Sequence, residues 1–350
     1  RGRVFNGGMK AIQLVTHGKP GKLQLRDLPD PQPAANEVVL RVHACGLNRL
    51  DLWVEEGALP IRVELPLTTG GEIAGEVVAL GSDVEQWRMG DRVAVQPNIF
   101  CGECEFCRRG DEAICIHGKS LGVQLHGGFA ERMVLPARAL VRLPDAVDYE
   151  TSAALTLAGS TAMHMLTDRA EVHEGDWVLV VGASSGVGSA AIQIAKQLGG
   201  RVITTASSEA KREFAFRLGA DHVVDSTLED WPAAVRKITD KRGVDLVVEH
   251  VGGEVLQQVF NCVVRGGTVV TCGATAGRDV TLNVWPFFVK QQRLIGSYGR
   301  NRADLTATLE WAAEGKLKPA IDRLLPLEET ASGYAALRQR AVLGKVVVKP

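Results

Sequence analysis

The stretch Val178–Gly188, VLVVGASSGVG, decides the fold of this chain. An apolar run ends there in a loop of small residues, and apolar residues at a spacing near 3.6 continue over positions 190–198. The order strand, tight loop and helix opens a βαβ unit. Small side chains let a diphosphate approach the loop backbone, and the N-terminus of the helix offers it N–H donors and a partial positive charge.

The loop lacks the full glycine fingerprint, because Ala183 and Ser185 stand at its first two glycine positions, counting back from Gly188. Many strand–helix turns bind no ligand. This loop therefore indicates a diphosphate site only together with the strands and helices that follow it. Five further strands are predicted at Arg201–Thr205, His222–Asp225, Asp245–Val248, Gly267–Cys272 and Arg293–Gly296. Helices are predicted between most of them, around Ala210–Leu218, Trp231–Thr239 and Glu254–Val264.

These strands are nearly continuous apolar runs, as expected for strands that are buried on both faces. Strands that alternate with helices indicate an α/β fold with a parallel, doubly wound sheet. Six strands complete a dinucleotide-binding (Rossmann) domain, which we place at residues 151–297.

The composition is that of an ordinary globular protein, with 350 residues, 45% hydrophobic residues and a formal net charge of -1. This length predicts two domains, and this charge predicts no attraction to nucleic acid or to an anionic membrane. No apolar run has transmembrane length and no signal peptide is visible, so a cytoplasmic location is expected. Residues Arg1–Gly8 precede Met9 without any pattern, and we interpret them as an expression remnant or an upstream extension.

The remaining sequence, residues 1–150 and 298–350, differs in character from the middle. Short β-rich runs occur at Glu37–Val42, Ile73–Leu80, Arg92–Val95 and Ala139–Leu143. Turn residues separate them, which predicts a mostly antiparallel, partly barrel-like β domain. One helix, Arg302–Gly315, and a closing strand, Lys345–Lys349, return the chain to this domain after the sixth strand.

Four cysteines form the sharpest motif of the chain, with the spacing C-x2-C-x2-C-x7-C at Cys101, Cys104, Cys107 and Cys115. Four thiolates on one short lobe (101–115) can surround a tetrahedral Zn²⁺ with no open position, which predicts a structural site. An iron–sulfur cluster is a rival interpretation. The other three cysteines, Cys45, Cys262 and Cys272, lie in apolar runs and are expected to be buried.

Several motifs together resemble the medium-chain dehydrogenase/reductase superfamily, which includes zinc-containing alcohol dehydrogenases and quinone oxidoreductases. They are Gly71–Gly81, the turn Gly90–Val93, the four-cysteine lobe, Gly127–Glu131, Ala158–Ala162 and the loop after Val178. The resemblance implies a GroES-like β domain with most substrate contacts, a Rossmann domain that holds a nicotinamide cofactor, and an active site in the cleft.

The chain departs from the zinc alcohol dehydrogenases at the catalytic metal. The family's three ligand positions correspond to Asn48, Gly71 and Leu157, none of which offers a thiolate, imidazole or carboxylate. We therefore expect one structural zinc and no catalytic zinc. Without a metal to stabilise an alkoxide, hydride addition to an activated acceptor is favoured. The metal-free branch of the superfamily, with its quinone and enoyl or acryloyl thioester reductases, resembles this chain in the segment Asn48-x-x-Asp51.

Asn48 and Asp51 are the candidate catalytic residues. The amide of Asn48 could donate a hydrogen bond to a developing oxygen without titrating, or Asn48 could simply cap a turn. Asp51 is expected to order the site rather than to act as a base. Trp53 and Phe100 could line a pocket or belong to the core, and His126 and His164 could be proton donors or structural residues.

The end of the second Rossmann strand indicates which nicotinamide is used. Ala206 stands where NAD-specific proteins carry an acidic residue. Ser207, Lys211 and Arg212 could receive a 2′-phosphate, so NADP(H) is favoured, with NAD possible. The family resemblance further implies cofactor contacts at Thr161, Gly182, Ser185, Gly186, Val187, Gly188, Val251, Gly273, Ala274 and Tyr298.

The leading hypothesis is an NADPH-dependent, metal-independent reductase of an activated alkene or a quinone. The alternatives are an alcohol dehydrogenase that acts on alcohols or aldehydes and a cofactor-binding protein without turnover. The sixth strand, Arg293–Gly296, would form a sheet edge through which two Rossmann domains could pair. A homo-oligomer is expected, with a dimer favoured and a tetramer as the alternative.

Overall fold

The computed structural model describes residues 8–350. Ten strands come first, at β1 (Gly8–Thr16), β2 (Lys22–Pro29), β3 (Glu37–Gly46), β4 (Leu67–Thr68), β5 (Glu72–Leu80), β6 (Arg92–Val95), β7 (Asn98–Ile99), β8 (Lys119–Ser120), β9 (Arg132–Pro136) and β10 (Leu140–Arg142). Eight follow, at β11 (Trp177–Val180), β12 (Arg201–Ala206), β13 (His222–Asp225), β14 (Val244–Glu249), β15 (Val263–Thr271), β16 (Arg293–Gly296), β17 (Ile321–Pro326) and β18 (Lys345–Lys349).

The α-helices are α1 (Arg49–Glu56), α2 (Glu105–Arg108), α3 (Tyr149–Leu155), α4 (Ala158–His164), α5 (Gly186–Gln197), α6 (Glu209–Arg217), α7 (Trp231–Ile238), α8 (Gly253–Val259), α9 (Val284–Val289), α10 (Arg302–Ala313) and α11 (Thr330–Arg338). Within residues 8–350, none of the helices has the length and apolar character needed to span a membrane. The chain divides into two compact units. Unit 1 comprises the residues up to Ala158 with Gly299–Gly315 and Pro319–Pro350, and unit 2 comprises Gly159–Tyr298 with Lys316–Lys318.

Unit 2 is built on a six-stranded parallel sheet in the order β13-β12-β11-β14-β15-β16. The strand order reverses between β11 and β14, and ligands of such sheets bind outside the carboxyl ends of the strands at that reversal. Both faces of the sheet are covered, because the successive residues Val178, Leu179 and Val180 of β11 are all fully buried. The α/β class and the Rossmann-like sheet are confirmed.

Unit 1 holds the GroES-like β domain, also as predicted. Its main sheet runs β10-β6-β5-β3-β18-β17, with β9 paired to β3, and every pairing except β17–β18 is antiparallel. A three-stranded sheet, β2-β1-β4, and the pair β7-β8 complete the unit. The strand β18 lies next to β3, and this pairing brings the far end of the sequence to the start of α1.

Some sequence expectations were wrong at element boundaries. The helix expected at Glu254–Val264 ends at Val259, and Val263 already belongs to β15, because β-branched residues at its end favour the strand. The strand β17 and the helices α9 and α11 were not predicted; α9 is apolar on every side and contains Pro286, so it shows no helical periodicity. Cys45 and Cys262 are buried as expected, but Cys272 is only half-buried.

Candidate functional site

Asn48 stands at the N-cap of α1, directly after β3, with extended backbone (φ -134°, ψ 162°). Its backbone N–H donates to Oδ2 of Asp51 at 2.8 Å, which satisfies one exposed donor of the helix start. Its side-chain Nδ2 donates to Glu72 Oε2 at 2.9 Å and to the Gly46 carbonyl at 3.3 Å. Asn48 is therefore a helix cap and, at the same time, a member of a side-chain network.

Glu72, the first residue of β5, is the centre of that network and is fully buried. Its Oε1 accepts the backbone N–H groups of Leu157 and Ala158 at 2.7 and 2.9 Å. Its Oε2 accepts the Nδ2 donor of Asn48. One carboxylate thus ties together the segments that begin α1, β5 and α4, to which the family resemblance assigns the three ligand positions of a catalytic metal.

Lys345, the first residue of β18, supplies the positive charge that a buried carboxylate requires. Its Nζ lies 2.6 Å from Glu72 Oε2, and the two side chains are 4% and 0% exposed. The same ammonium donates to the Leu47 carbonyl at 2.6 Å and to Asn48 Oδ1 at 2.7 Å. All three N–H groups of Lys345 are therefore used inside the protein.

Asp51, one turn into α1, is 3% exposed and connects the helix start to the loop before β5. Its Oδ1 accepts the backbone N–H of Gly70 at 3.1 Å while Oδ2 holds Asn48. Burial raises the pKa of Asp51 to about 7, against the opposing effect of these hydrogen bonds and of Lys345. Asp51 therefore fixes the geometry of the loop and can hold a proton near neutral pH.

The network leaves no ligand set for a metal. A Cβ on Gly71 would lie 2.9 Å from the Leu121 carbonyl oxygen, so no larger residue fits that backbone without a shift. Leu157 offers no donor atom, and Cys45 is buried, with its pKa raised well above the usual value by burial. Among residues 8–350, the one group of three or more potential ligand side chains is the four-cysteine lobe.

The other residues of this unit that the sequence offered as site candidates have mainly structural contacts. His126 Nδ1 accepts the Thr68 N–H at 3.1 Å, and burial lowers its pKa, so the ring is neutral at pH 7. Phe100 is 8% exposed and lies under the Arg302 guanidinium, while Trp53 is half-buried on α1. In unit 2, His164 is 3% exposed and lies 3.6 Å from Asp168 on the next helical turn.

The four cysteines of the lobe converge on one point. Neighbouring Sγ atoms lie 3.9 Å apart for Cys101–Cys107, 3.5 Å for Cys104–Cys107, 3.9 Å for Cys104–Cys115 and 3.6 Å for Cys101–Cys115. A tetrahedral Zn²⁺ with Zn–S bonds of about 2.3 Å requires S···S edges of about 3.8 Å. The cluster therefore fits a zinc ion, and these separations are far longer than the S–S bond of a disulfide.

The loop between β11 and α5 has the shape expected of a diphosphate site. Gly182 has a φ of 73°, and a Cβ on Gly188 would lie 2.3 Å from the Gly182 carbonyl, so both positions require glycine. Ser185 is the N-cap of α5, and its Oγ accepts the Gly188 N–H at 2.8 Å. The remaining N–H groups of the first turn, at Gly186 and Val187, point out of the helix start, where an anion is favoured.

The two basic residues after β12, Lys211 and Arg212, have different contacts. Lys211 Nζ lies 3.4 Å from Ser207 Oγ. Arg212 instead binds Glu209 Oε2 at 2.7 Å and Asp225 Oδ2 at 3.0 Å. Ser207 and Lys211 are therefore brought together, whereas the guanidinium of Arg212 is occupied by two carboxylates.

The remaining predicted cofactor residues lie after neighbouring strands of the same sheet. Val251 follows β14, and a Cβ on the next residue, Gly252, would lie 2.7 Å from the Cα of Ala274, which follows β15 with Gly273. Tyr298 follows β16 and is 64% exposed, and Thr161 lies on α4 and is 7% exposed. The structure brings Val251, Gly273 and Ala274 to one edge of the sheet.

Sequence reasoning missed two members of the polar network. Glu72 follows two glycines at the start of a predicted strand, and its position beside a family ligand position was the one signal for it. Lys345 gave no signal, because a lysine at the start of an apolar strand is normally an exposed edge residue. With Asn48 and Asp51, these two residues form a polar network whose members all lie in unit 1.

Comparison with known proteins defines the family. The model of the family described as "Alcohol dehydrogenase GroES-like domain" matches residues 34–145, and that of "Zinc-binding dehydrogenase" matches residues 186–314. An "NAD-dependent alcohol dehydrogenase" of Sulfolobus acidocaldarius is 35% identical, over 97% of this chain and 99% of its own. An "Acryloyl-coenzyme A reductase" of Sulfurisphaera tokodaii is 31% identical, over 98% of this chain and 100% of its own.

A solved structure described as an NAD-dependent alcohol dehydrogenase superimposes with a TM-score of 0.93 at 40% identity, covering 98% of this chain and 100% of its own. The chain belongs to the medium-chain dehydrogenase/reductase superfamily, among the zinc-type alcohol dehydrogenases and their relatives. It is an NAD(P)H-dependent oxidoreductase with a four-cysteine metal-binding lobe.

Proposed function

We propose that the protein is an NADPH-dependent reductase of activated alkenes or quinones that works without a catalytic metal. The observation that carries the proposal is the closed network of Asn48, Glu72 and Lys345 at the place of the family's catalytic metal site. Every charge in it is paired inside the protein, with the Glu72–Lys345 pair at 2.6 Å. A cation already neutralises the carboxylate, so a second cation there would be repelled.

In the zinc alcohol dehydrogenases, a metal ion removes the hydroxyl proton and stabilises the alkoxide. Asn48, Gly71 and Leu157 offer no ligand for such a metal, so alcohol oxidation by that route is disfavoured. An electron-poor alkene conjugated to a carbonyl needs less help, because its own carbonyl oxygen takes up the charge. Bound reduced nicotinamide would supply the hydride for the β-carbon of such an acceptor, and a proton from solvent would complete the saturated product at the α-carbon.

We assign to Asn48 the hydrogen bond to the substrate oxygen that gains negative charge during the reaction. Of its two amide N–H donors, the one that reaches the Gly46 carbonyl spans 3.3 Å and is the weaker. A substrate oxygen can take this donor while the bond to Glu72 at 2.9 Å holds the amide in place. Asp51 acts as a positioning residue, because it binds the backbone N–H groups of Asn48 and Gly70.

NADP(H) is the cofactor we assign, with the 2′-phosphate held by Ser207 and Lys211. Their polar groups lie 3.4 Å apart after β12, and no acidic residue occupies position 206. Arg212 contributes charge nearby, although Glu209 and Asp225 bind it directly. The diphosphate would lie on the loop Gly182–Gly188, and one structural Zn²⁺ per chain would occupy the four-cysteine lobe.

A second candidate function is oxidation of an alcohol with NAD. The similarity to NAD-dependent alcohol dehydrogenases, at 35% identity in one case, supports it. The residues at the family's three metal-ligand positions argue against this function, because none of them can bind a metal ion.

The assembly we propose is a homodimer formed through β16 and α9 of unit 2. Exposed apolar side chains cluster in these two elements: Val284 (60% exposed), Trp285 (71%), Phe288 (53%), Val289 (43%) and Leu294 (44%). An apolar edge of this kind is normally covered by a partner. We place the protein in the cytoplasm, where the thiolates of the lobe stay reduced.

The proposed reaction is tested by two measurements on one preparation of the purified protein. The first is the zinc content per chain. The second is a rate panel: NADPH and NADH with a small quinone, an enone and acryloyl or crotonyl thioesters, and NAD or NADP with primary and secondary alcohols. About one zinc per chain with alkene or quinone reduction supports the proposal. Two zinc ions per chain, or alcohol oxidation with NAD as the fastest reaction, contradicts it.

A further inference from the structure

We propose that unit 2 contains a second anion site, a basic cavity that binds a small molecule with two or more linked phosphate groups. The cavity has a volume of about 630 Å³ and lies at the amino ends of β14 and β15. Its charged lining consists of Arg236, Lys241, Arg242, Asp245, Arg265 and Lys290. The site does not depend on the proposed reaction.

The basic cavity lies at the opposite edge of the sheet from the residues assigned to the cofactor. In a parallel sheet the amino ends of the strands meet at one edge and the carboxyl ends at the other. The loop Gly182–Gly188, Val251 and Gly273 follow the carboxyl ends of β11, β14 and β15. The strand β14 has six residues, so the two edges are roughly 17 Å apart. The positive charges of the basic cavity therefore form a separate site.

Backbone hydrogen bonds hold the walls of the basic cavity together. The Lys241 N–H donates to the Arg236 carbonyl at 2.7 Å and closes the turn after α7. The Gly266 N–H donates to the Lys290 carbonyl at 2.7 Å and joins β15 to the end of α9. The strands β14 and β15 are themselves paired. The cations of the cavity therefore start from segments that are fixed relative to one another.

Only one of the five cations in the lining has a carboxylate partner. Arg242 forms two bonds with Asp245, at 2.6 and 2.8 Å, and Asp245 is the one carboxylate among the lining residues. The other four cations form no ion pair within residues 8–350: Arg236, Lys241, Arg265 and Lys290. The lining therefore has a net charge of +4.

The ends of the neighbouring helices explain only part of this charge. The C-terminus of an α-helix carries about half a negative charge and attracts cations. Arg236 lies in the last turn of α7, and Lys290 directly follows α9. Even with α8 included, three helix ends offset roughly 1.5 charges, which is less than half of the +4. The whole chain has a formal net charge of -1, so the excess is local and favours an anionic ligand.

The side chains and the size of the basic cavity select the ligand. Guanidinium groups bind phosphate oxygens in bidentate pairs, and lysine adds a mobile point charge. A volume of about 630 Å³ is that of a small-molecule site. Arg236 and Lys241 also line an adjacent cavity of about 620 Å³, together with Ala233, Lys237 and Asp240. The shared chemistry is a chain of linked phosphates, carried by a nucleotide or present as inorganic pyrophosphate.

Calorimetry on the full chain, saturated with the tighter-binding of NADPH and NADH, tests the site, because the cofactor then fills the diphosphate loop. The probes are ADP and inorganic pyrophosphate, titrated separately at constant ionic strength. Lys290→Met and Lys241→Gly should each raise the Kd of the bound probe about tenfold, because each removes a charge-assisted bond to phosphate. Arg217→Met, at an exposed cation of α6 outside the cavity, is the matched control and should leave the Kd unchanged.

The unfolding midpoint without any probe separates a binding role from a structural one. Lys290→Met should not lower it, because the variant reduces repulsion among like charges. Lys241→Gly should not lower it either, since Lys241 has a φ of 65°, which suits glycine. A lower midpoint together with an unchanged Kd in both variants would show that these cations are structural and would overturn the site.

The two probes distinguish the sources of the phosphate groups. Similar Kd values for ADP and pyrophosphate support a site for the phosphates alone, and tighter binding of ADP supports one in which the nucleoside lies in the adjacent cavity. Absence of binding by both probes at millimolar concentration overturns the site, and so does binding that disappears when the cofactor is present. An equal loss of affinity in Arg217→Met also overturns it, because the effect would then come from net charge.

Discussion

Lys345 and Glu72 form an ion pair of 2.6 Å in which neither side chain is more than 4% exposed. Two buried charges on β18 and β5 thus lie beside Asn48, to which the family resemblance assigns one ligand position of a catalytic metal. The pair is held by further bonds to Asn48 and to backbone groups, so each charge is compensated locally. Because these buried side chains are fixed by one another, they leave no open coordination position for a metal ion.

Replacing one partner of this pair should be strongly destabilising. Lys345→Met leaves Glu72 as an uncompensated buried charge, with an expected loss of about 3–5 kcal/mol. Urea unfolding followed by circular dichroism measures it. Lys349→Met is the control: Lys349 is 49% exposed and its partner Glu150 is 24% exposed, so Glu150 keeps access to water and the change should stay within about 1 kcal/mol. The double variant Lys345→Met/Glu72→Gln should recover part of the loss; equal losses in the single and double variants would argue against the pairing.

Asp51 should make the protein less stable as the pH rises from about 4 to about 7. Burial raises its pKa from 3.8 to about 7, so within this window the folded chain holds a proton that the unfolded chain has released. The effect lowers the free energy of unfolding by roughly 4 kcal/mol at most, and it is absent below pH 4 and constant above pH 7. Urea midpoints at pH 4.5 and 7.5 measure the slope. Asp51→Asn should show a smaller difference between the two values, and an identical slope would refute the assignment.

Loss of one cysteine should empty the metal-binding lobe. Cys107→Ser is expected to reduce the zinc content from about one per chain to near zero, because a structural site needs all four thiolates. Within Cys101–Cys115, only Cys104 and Ala113 are buried, so the lobe has little core of its own. Hydrogen exchange should therefore become fast over this segment. Cys272→Ser, outside the cluster, should keep its zinc; a variant at Cys107 that keeps it would contradict the site.

Lys211 should determine the preference for NADPH over NADH. Lys211→Ala removes the cation beside Ser207, and the Kd for NADPH is expected to rise about tenfold while that for NADH stays constant. Fluorescence titration of both cofactors gives the ratio. Arg212→Ala serves as the comparison, because Glu209 and Asp225 already bind that guanidinium. A larger effect at Arg212 than at Lys211 would reassign the phosphate site.

Trp285 should hold two copies of the chain together. Trp285→Glu places a charge in the apolar edge formed by α9 and β16, and the dimer is expected to dissociate at micromolar concentration. Light scattering after gel filtration reports the mass. Phe216→Glu, a similar change at a side chain that is 53% exposed on α6, should leave the mass unchanged. If the wild-type protein is itself a monomer, the interface proposal fails.

The sequence predicted the Rossmann sheet well because each of its strands is a local apolar run followed by a turn. The strands His222–Asp225 and Arg293–Gly296 were predicted to the residue. The cysteine lobe could be predicted equally well, because its four ligands lie within one short segment. In both cases the information is contained in neighbouring residues.

The polar network could be predicted only in part. Asn48 and Asp51 carried a family motif, but nothing near Lys345 in the sequence indicates that it lies beside Glu72. That contact depends on the pairing of β18 with β3, and long-range strand pairing leaves no local pattern.

The position of β18 in the main sheet also constrains the order of events during synthesis. Val347 and Val348 pair with Gly46 and Cys45, so the sheet of unit 1 remains incomplete until the ribosome has passed the whole of unit 2. Domains commonly fold in the order in which they are made. Here the later unit is free to fold while the earlier one waits, with Glu72 still lacking its cation. A chaperone would therefore be most useful while unit 1 is incomplete, before β18 has been synthesised.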